Sequence, residues 1–132
     1  EAWFPDTTWN QYTNEPYMIG DYEEHFGRKT YAKVGGCYYS TRLAVAEALD
    51  REGRQAAAVV LRETYPGYIM PLGVWNVRES IRAMMKQPYE RHDSFRGAMN
   101  SALSKFRIEK AKWMRESVLI SRELTQSKLT NF

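Results

Sequence analysis

The chain has 132 residues, of which 43% are hydrophobic and 14% aromatic, so it can fill the core of one ordinary domain and is not a disordered polymer. Its single cysteine, Cys37, excludes an intrachain disulfide and a zinc site made of cysteines, which favours a reducing, intracellular setting. The net charge of +3 is unevenly spread, because residues 28–132 hold all 19 Lys and Arg against 10 of the 16 Asp and Glu. Such a segment is a candidate for binding nucleic acid, although a solvated basic surface has the same composition.

The N-terminal part is predicted to be extended. Residues 1–20 are rich in aromatic residues without a clear period, and Pro5 and Pro16 exclude a long helix. We therefore predict an extended aromatic arm over these residues, with its rings used mainly for packing. The alternation of side chains in residues 28–34 predicts a short strand.

The middle of the chain predicts a helix, a strand and a second helix. Residues 37–52 have a helical pattern that ends at Gly53, the expected place for a C-terminal cap. Residues 55–63 are predicted as a strand, because Ala56–Leu61 is apolar on both alternating faces. That run of six is the longest apolar run, so we expect no membrane-spanning segment and no membrane partner. The second helix is predicted over residues 74–86.

Two further helices are predicted in the C-terminal part. Asp93 or Ser94 can cap the first, which runs to about Lys105, and the second spans residues 110–124. The order of elements predicts a helix-dominated single domain of the α/β (or α+β) class, with a small sheet and the aromatic arm.

Two arginines lie in apolar stripes of the predicted helices. Arg42 has apolar neighbours at i+3, i+4 and i+7, and Arg78 has them at i−4, i+3 and i+7. A buried guanidinium has to be paired. Each arginine either meets a structural carboxylate such as Glu63 or Glu79, or lines a cleft that binds an anion, most simply phosphate.

The common catalytic signatures are missing from the sequence. It contains no nucleophile elbow, phosphate-binding loop or H-E-x-x-H motif. Asp21, Glu24 and His25 could form a metal site, but a solvated acidic turn is the favoured interpretation. Cys37 is interpreted as a structural thiol. We therefore predict no metal site and no cofactor in this chain.

The C-terminus ends in a spaced pattern, Gln126, Leu129 and Phe132, that is typical of peptides that dock on DNA sliding clamps. In one 3₁₀ turn, Leu129 and Phe132 would lie on the same side and form a compact apolar plug. Gln126 can form hydrogen bonds at the rim of the receiving pocket. The pattern usually has a second aromatic residue, and here the chain stops after one.

Several blocks of the sequence resemble the archaeal Nre family of DNA repair proteins over roughly residues 22–132. The blocks are Arg28–Ala32, Gly35–Tyr39 with Arg42–Val45, Arg62-Glu63, and Pro71–Trp75 with Val77–Glu79. The resemblance implies an archaeal, cytoplasmic and nucleoid-associated repair protein that docks on the clamp PCNA through its C-terminal peptide. Some family members carry a zinc-finger-like element near their N-terminus, so any zinc would belong to a region outside this chain. We expect the chain, which begins at Glu1, to be a C-terminal portion.

With the resemblance, the sequence predicts three regions: the arm at 1–20, an Nre-like domain at 21–124 and a flexible PCNA-docking tail at 125–132. The arginines of the family-like blocks are expected to converge with aromatic residues on one cleft that binds DNA or nucleotide. Its predicted members are Arg28, Lys29, Tyr38, Tyr39, Arg42, Arg62, Trp75 and Arg78.

Two other functions stay open from the sequence. One is an enzyme acting on nucleic acid or nucleotide, such as a nuclease or a nucleotide-modifying transferase, with Glu63 or Glu79 as its carboxylate. The other is a subunit of a larger assembly whose basic face meets RNA or protein.

Overall fold

The computed structural model of the chain describes residues 1–70 and 73–125. These residues fall into two compact units, Glu1–Pro88 and Tyr89–Phe132, the second being described as far as Thr125. Helices dominate both units and a small sheet lies in the first, so the predicted helix-dominated α/β class is confirmed. The clamp-docking pattern at residues 126–132 lies outside the described residues.

The first unit contains a three-stranded sheet. Its strands are β1 (Ala2–Trp3), β2 (Tyr17–Met18) and β3 (Glu63–Thr64), in the order β2-β1-β3. β1 pairs antiparallel with β2 and parallel with β3. The predicted aromatic arm therefore supplies two of the three strands, and Ala2 and Trp3 are buried.

The loop between β1 and β2 is held by polar side chains. The Asn10 side-chain amide donates to the carbonyls of Trp3 and Glu15, at 2.8 Å each, and Asn10 itself is buried. The buried Thr7 hydroxyl donates to the Phe4 carbonyl at 2.7 Å. These bonds tie the loop to the backbone of β1 and of the residues that precede β2.

Two helices complete the first unit. α1 (Gly36–Arg51) ends at the cap Glu52, followed by Gly53 in the left-handed region at φ 62°, as the sequence predicted. α2 (Gly73–Met84) packs on α1 through Val77 and Ile81, which are buried with Ala44 and Ala48 of α1.

The second unit is a cluster of three short helices, α3 (Phe95–Ser104), α4 (Lys110–Glu116) and α5 (Val118–Thr125). Ser94 caps α3, because its hydroxyl accepts a hydrogen bond from the Gly97 amide at 3.1 Å. Among the described residues of this unit, the core is formed by the buried apolar side chains of Met99, Leu103, Ile108, Trp113 and Ile120.

Three predicted elements differ from the structure. The predicted strand at residues 55–63 is reduced to Glu63–Thr64, because only that end has a neighbouring strand among the described residues. The predicted strand at residues 28–34 is absent, because hydrogen bonds to the Asp21 side chain hold this segment in turns. The predicted helix at residues 110–124 is broken at Ser117, whose backbone is extended and whose hydroxyl accepts from the Ile120 amide.

Candidate functional site

Asp21 organises the segment that leads into α1. One carboxylate oxygen accepts hydrogen bonds from Arg28 Nη1 at 2.7 Å and the Tyr22 amide at 2.9 Å, and the other accepts from the Lys33 amide at 2.7 Å. Partial burial acts to raise the pKa of Asp21, but these hydrogen bonds and the charge of Arg28 outweigh it and lower the pKa. Asp21 is therefore a charged anchor of this turn.

Arg28 closes the same turn from the other side. Its guanidinium also donates to the carbonyls of Tyr22 and Thr30, at 2.8 and 3.0 Å. The side chains of Arg28 and Asp21 are only 11% exposed. Because its donors are used within the turn, Arg28 serves the fold, and it is poorly placed to bind an external phosphate.

Five side chains form what we call the aromatic–guanidinium cluster: Arg28, Tyr31, Tyr38, Tyr39 and Arg42. The Arg28 guanidinium lies 5.0 Å from the ring centroid of Tyr38, and the Arg42 guanidinium lies 5.3 Å from that of Tyr39. Tyr39 packs against Tyr31 at 5.2 Å and Tyr38 at 5.6 Å between ring centroids. The first turns of α1 therefore hold aromatic rings and cations together.

The cluster has an open side. Tyr31 is 73% exposed, and the Arg42 side chain is 49% exposed although it forms an ion pair with Glu23 at 3.0 Å. Tyr39 is fixed from below, because its hydroxyl accepts a hydrogen bond from the Ala32 amide at 3.1 Å. A flat ring that is exposed and an arginine that is half exposed can offer stacking and one charge to a ligand.

Arg62 lies at the sheet and has partners of its own. Its guanidinium lies 4.8 Å from the ring centroid of the buried Trp3, and its Nε is 3.3 Å from a carboxylate oxygen of Glu1. The predicted convergence of Arg62 with the cluster has no support in these contacts.

Arg78 and Glu79 belong to an ion-pair network between α1 and α2. The Arg78 guanidinium lies 3.3 Å from the Glu79 carboxylate. The Arg82 guanidinium bridges two carboxylates, that of Glu79 at 2.7 Å and that of Glu47 of α1 at 2.6 Å. Hydrogen bonds from Arg82 are the main cause that lowers the pKa of both Glu47 and Glu79. This arrangement is the structural pairing that the sequence offered as one explanation for Arg78.

The remaining predicted residues are scattered. Trp75 is 57% exposed on the first turn of α2, and Lys29 is exposed beside Arg28. Glu63 accepts a hydrogen bond from the Tyr65 hydroxyl at the edge of the sheet. Among residues 1–70 and 73–125, no three His, Cys, Asp or Glu side chains are grouped so that they could hold a metal ion.

One feature was missed by the sequence analysis. The ends of α1 and α2 border an open groove of about 640 Å³, lined by side chains of both charges that include Glu47, Asp50, Glu79, Arg82 and Lys86. Nothing in the spacing of the sequence indicates that these two helix ends come together.

Charge is divided between the two units. Residues 1–88 contain ten Lys and Arg against eleven Asp and Glu, whereas residues 89–132 contain nine against five. In the second unit, Glu90 accepts from Lys105 at 2.7 Å and from Ser101 at 2.6 Å. The hydrogen bond from Lys105 is the largest cause that lowers the pKa of Glu90 to about 2. By the counts of charged residues, the positive excess belongs to the second unit, whereas the aromatic–guanidinium cluster lies in the first unit, which is nearly neutral.

Comparison with known proteins places the chain in a family. The model of the family described as Archaeal Nre, C-terminal, matches residues 23–132. The chain belongs to the archaeal Nre family, and the resemblance found in its sequence is confirmed. Within the described residues, no helix is both long and apolar enough to cross a membrane.

The relatives are considerably longer than this chain. It is 47% identical to the DNA repair protein NreB of Archaeoglobus fulgidus, across 92% of this chain and 31% of that protein. It is 33% identical to the DNA repair protein NreA of the same organism, across 100% of this chain and 32% of that protein. It is 32% identical to the DNA repair protein NreA of Haloferax volcanii, across 87% of this chain and 28% of that protein. The chain thus spans about a third of their length, and no solved structure matches it.

Proposed function

We propose that this chain acts in archaeal DNA repair as the part that docks on the sliding clamp PCNA and contacts DNA. The repair role rests on family membership and on relatives that are named DNA repair proteins. The clamp role rests on the spacing of Gln126, Leu129 and Phe132 at the end of the sequence. Because its proposed partners are PCNA and DNA, we expect the protein to lie in the cytoplasm, associated with the nucleoid.

Removal of residues 126–132 tests the clamp role. The deletion should abolish binding to PCNA, because it removes the glutamine and both apolar anchors together. The circular dichroism spectrum should stay unchanged, since each unit has a core of buried apolar side chains among its described residues. Clamp binding that persists after the deletion would show that another surface carries it.

The DNA contact is proposed at the open side of the aromatic–guanidinium cluster. Exposed rings stack on bases with little dependence on sequence, so Tyr31, with the Tyr39 ring packed against it, fits a single-stranded or unpaired region best. Arg42 supplies a nearby cation, although Glu23 competes for it. The positive excess of residues 89–132 supplies the longer-range attraction to phosphate.

Tyr31→Ala tests this contact against a matched aromatic control. Loss of one stacked base costs about 1–3 kcal/mol, so binding to a single-stranded oligonucleotide should weaken about 5- to 150-fold. Tyr12→Ala removes a tyrosine that is 94% exposed in the same unit and should leave binding unchanged. Fluorescence anisotropy of a labelled oligonucleotide measures both. Equal effects of the two changes, or no effect of either, would refute the contact.

The proposal of an enzyme finds no supporting arrangement in the described residues. Glu79 is engaged by two arginines and Glu63 by Tyr65, and they lie on different elements. The clamp-docking and DNA-contacting function is therefore the one that the chain supports best.

A further inference from the structure

An apolar segment of the first unit, residues 55–61, has no strand partner among residues 1–70 and 73–125. Residues 55–61 form no backbone hydrogen bond with any described residue. Ala56, Ala57 and Ala58 are exposed, and Val59, Val60 and Leu61 are only half-buried. A run that is apolar on both of its alternating faces is typical of a strand that is covered on both sides.

The register of the sheet shows what would lie beside this segment. β1 and β3 are parallel, with Ala2 opposite Glu63 and Trp3 opposite Thr64. One step back, Glu1 is opposite Arg62. The positions opposite Leu61, Val60 and Val59 therefore belong to residues upstream of Glu1.

The relatives are long enough to contain such upstream polypeptide. The chain spans about a third of the relatives' length and matches the C-terminal region of the family. We propose that, in the full-length protein, the residues immediately upstream of Glu1 continue β1 as a strand that pairs in parallel with residues 56–62. The occupant of this edge is thus the same polypeptide, and the sheet joins the Nre C-terminal region to the part that precedes it.

The existing ladder fixes which groups would make the new hydrogen bonds. The Ala2 amide donates to the Arg62 carbonyl at 2.8 Å, and the Phe4 amide donates to the Thr64 carbonyl at 2.9 Å. Backbone groups of a strand point to alternate sides, so even-numbered positions of this strand face β1. Ala58 and Val60 would therefore bond to the extension of β1, while Ala57 and Val59 face away from it.

Amide hydrogen exchange on the full-length protein tests the proposal at single residues. The amides of Ala58 and Val60 should exchange about 100-fold or more slowly than those of Ala57 and Val59, because only the first pair is hydrogen-bonded to the extension. In the 132-residue chain all four should exchange rapidly. Rapid exchange at Ala58 and Val60 in the full-length protein would overturn the proposal, as would protection confined to Ala57 and Val59.

Two proline substitutions in the full-length protein form a matched pair. Ala58→Pro removes an amide that faces β1 and should lower the melting temperature by several degrees more than Ala57→Pro, which removes an amide on the open side. Equal effects of the two substitutions would contradict the register.

The same data separate a second copy from the upstream polypeptide as the occupant. If two copies of the chain paired through this edge, the 132-residue chain would be a dimer in solution and would protect these amides on its own. That result would also overturn the proposal.

Discussion

Arg28 shows at the residue scale how a cation suspected of binding phosphate can be used by the fold instead. It is nearly buried, and it is paired with the Asp21 carboxylate and with backbone carbonyls. A charge in that position is costly once its partner is removed, because the desolvation penalty remains. Arg42, by contrast, has one carboxylate partner and stays half exposed. The two arginines of one cluster thus have different roles.

Asp21→Asn should destabilise the first unit by roughly 2 kcal/mol, because it leaves the Arg28 charge without its counter-ion. The pKa of Asp21 is lowered in the folded state, so its contribution is complete above the ordinary value of 3.8 and is lost as pH falls through the lowered value. Thermal melts of wild type and variant should therefore differ at pH 7, and the difference should shrink only as the pH falls below 3.8 and through the lowered pKa.

Asp50→Asn is the matched control, since Asp50 is an exposed acid near the end of α1. It should change the melting temperature little at either pH. A difference between wild type and Asp21→Asn that stays constant down to the lowest pH would contradict the role given to the carboxylate.

At the element scale, α1 and α2 approach closely through small residues. Ala44 and Ala48 are buried on α1, and a Cβ added to Gly36 would lie 2.5 Å from Cγ1 of Val74. The helices begin side by side at Gly36 and Val74 and remain joined farther along by Glu47 and Arg82. Three of the five members of the cluster, Tyr38, Tyr39 and Arg42, lie on the first turns of α1.

Gly36→Ala should lower the free energy of unfolding of the chain by about 1 kcal/mol or more, although alanine is the better helix former. The new methyl group needs the space that Val74 occupies. The double variant Gly36→Ala with Val74→Ala should recover most of the loss, because Val74 is itself partly exposed. Urea denaturation measures both. A stabilised single variant, or no rescue by the second change, would contradict this packing.

Local signals in the sequence were sufficient for the helix ends. Gly53 and Ser94 act through their own backbone conformation or side chain, so the end of α1 and the start of α3 were predicted closely. The strand at residues 55–63 depends on a distant partner, which no local pattern reveals. Ser117 broke a predicted helix because its hydroxyl competes for a nearby amide, a choice that propensity alone does not decide.

The structure brings together some of the residues of the predicted site. Four of its members meet in the aromatic–guanidinium cluster, which the blocks around Arg28 and Tyr39 indicated. Arg62 and Arg78 have other partners, because Glu1 and Glu79 lie within reach of them in the fold. Tyr31, the most exposed ring of the cluster, was not selected, since nothing in the sequence shows which tyrosine faces solvent.

At the scale of the whole molecule, the proposed attachment to the clamp and the proposed contact with DNA lie in different parts of the chain. The first unit is nearly neutral and holds the aromatic–guanidinium cluster, and the second carries the positive excess and leads to the clamp-docking pattern. In the proposed function, a terminal peptide holds the protein at the clamp and raises the local concentration of DNA near both units. A weak DNA contact is then sufficient, which agrees with a cluster that has one half-exposed arginine.

The proposed docking on PCNA through Gln126, Leu129 and Phe132 is tested most directly by calorimetric titration of the clamp with point variants. Phe132→Ala removes a central apolar anchor, worth about 2 kcal/mol or more, and should weaken binding at least about 30-fold. Thr130→Ala changes a neighbouring position outside the pattern and should bind within about twofold of wild type. Binding by Phe132→Ala that equals that of wild type would contradict the account.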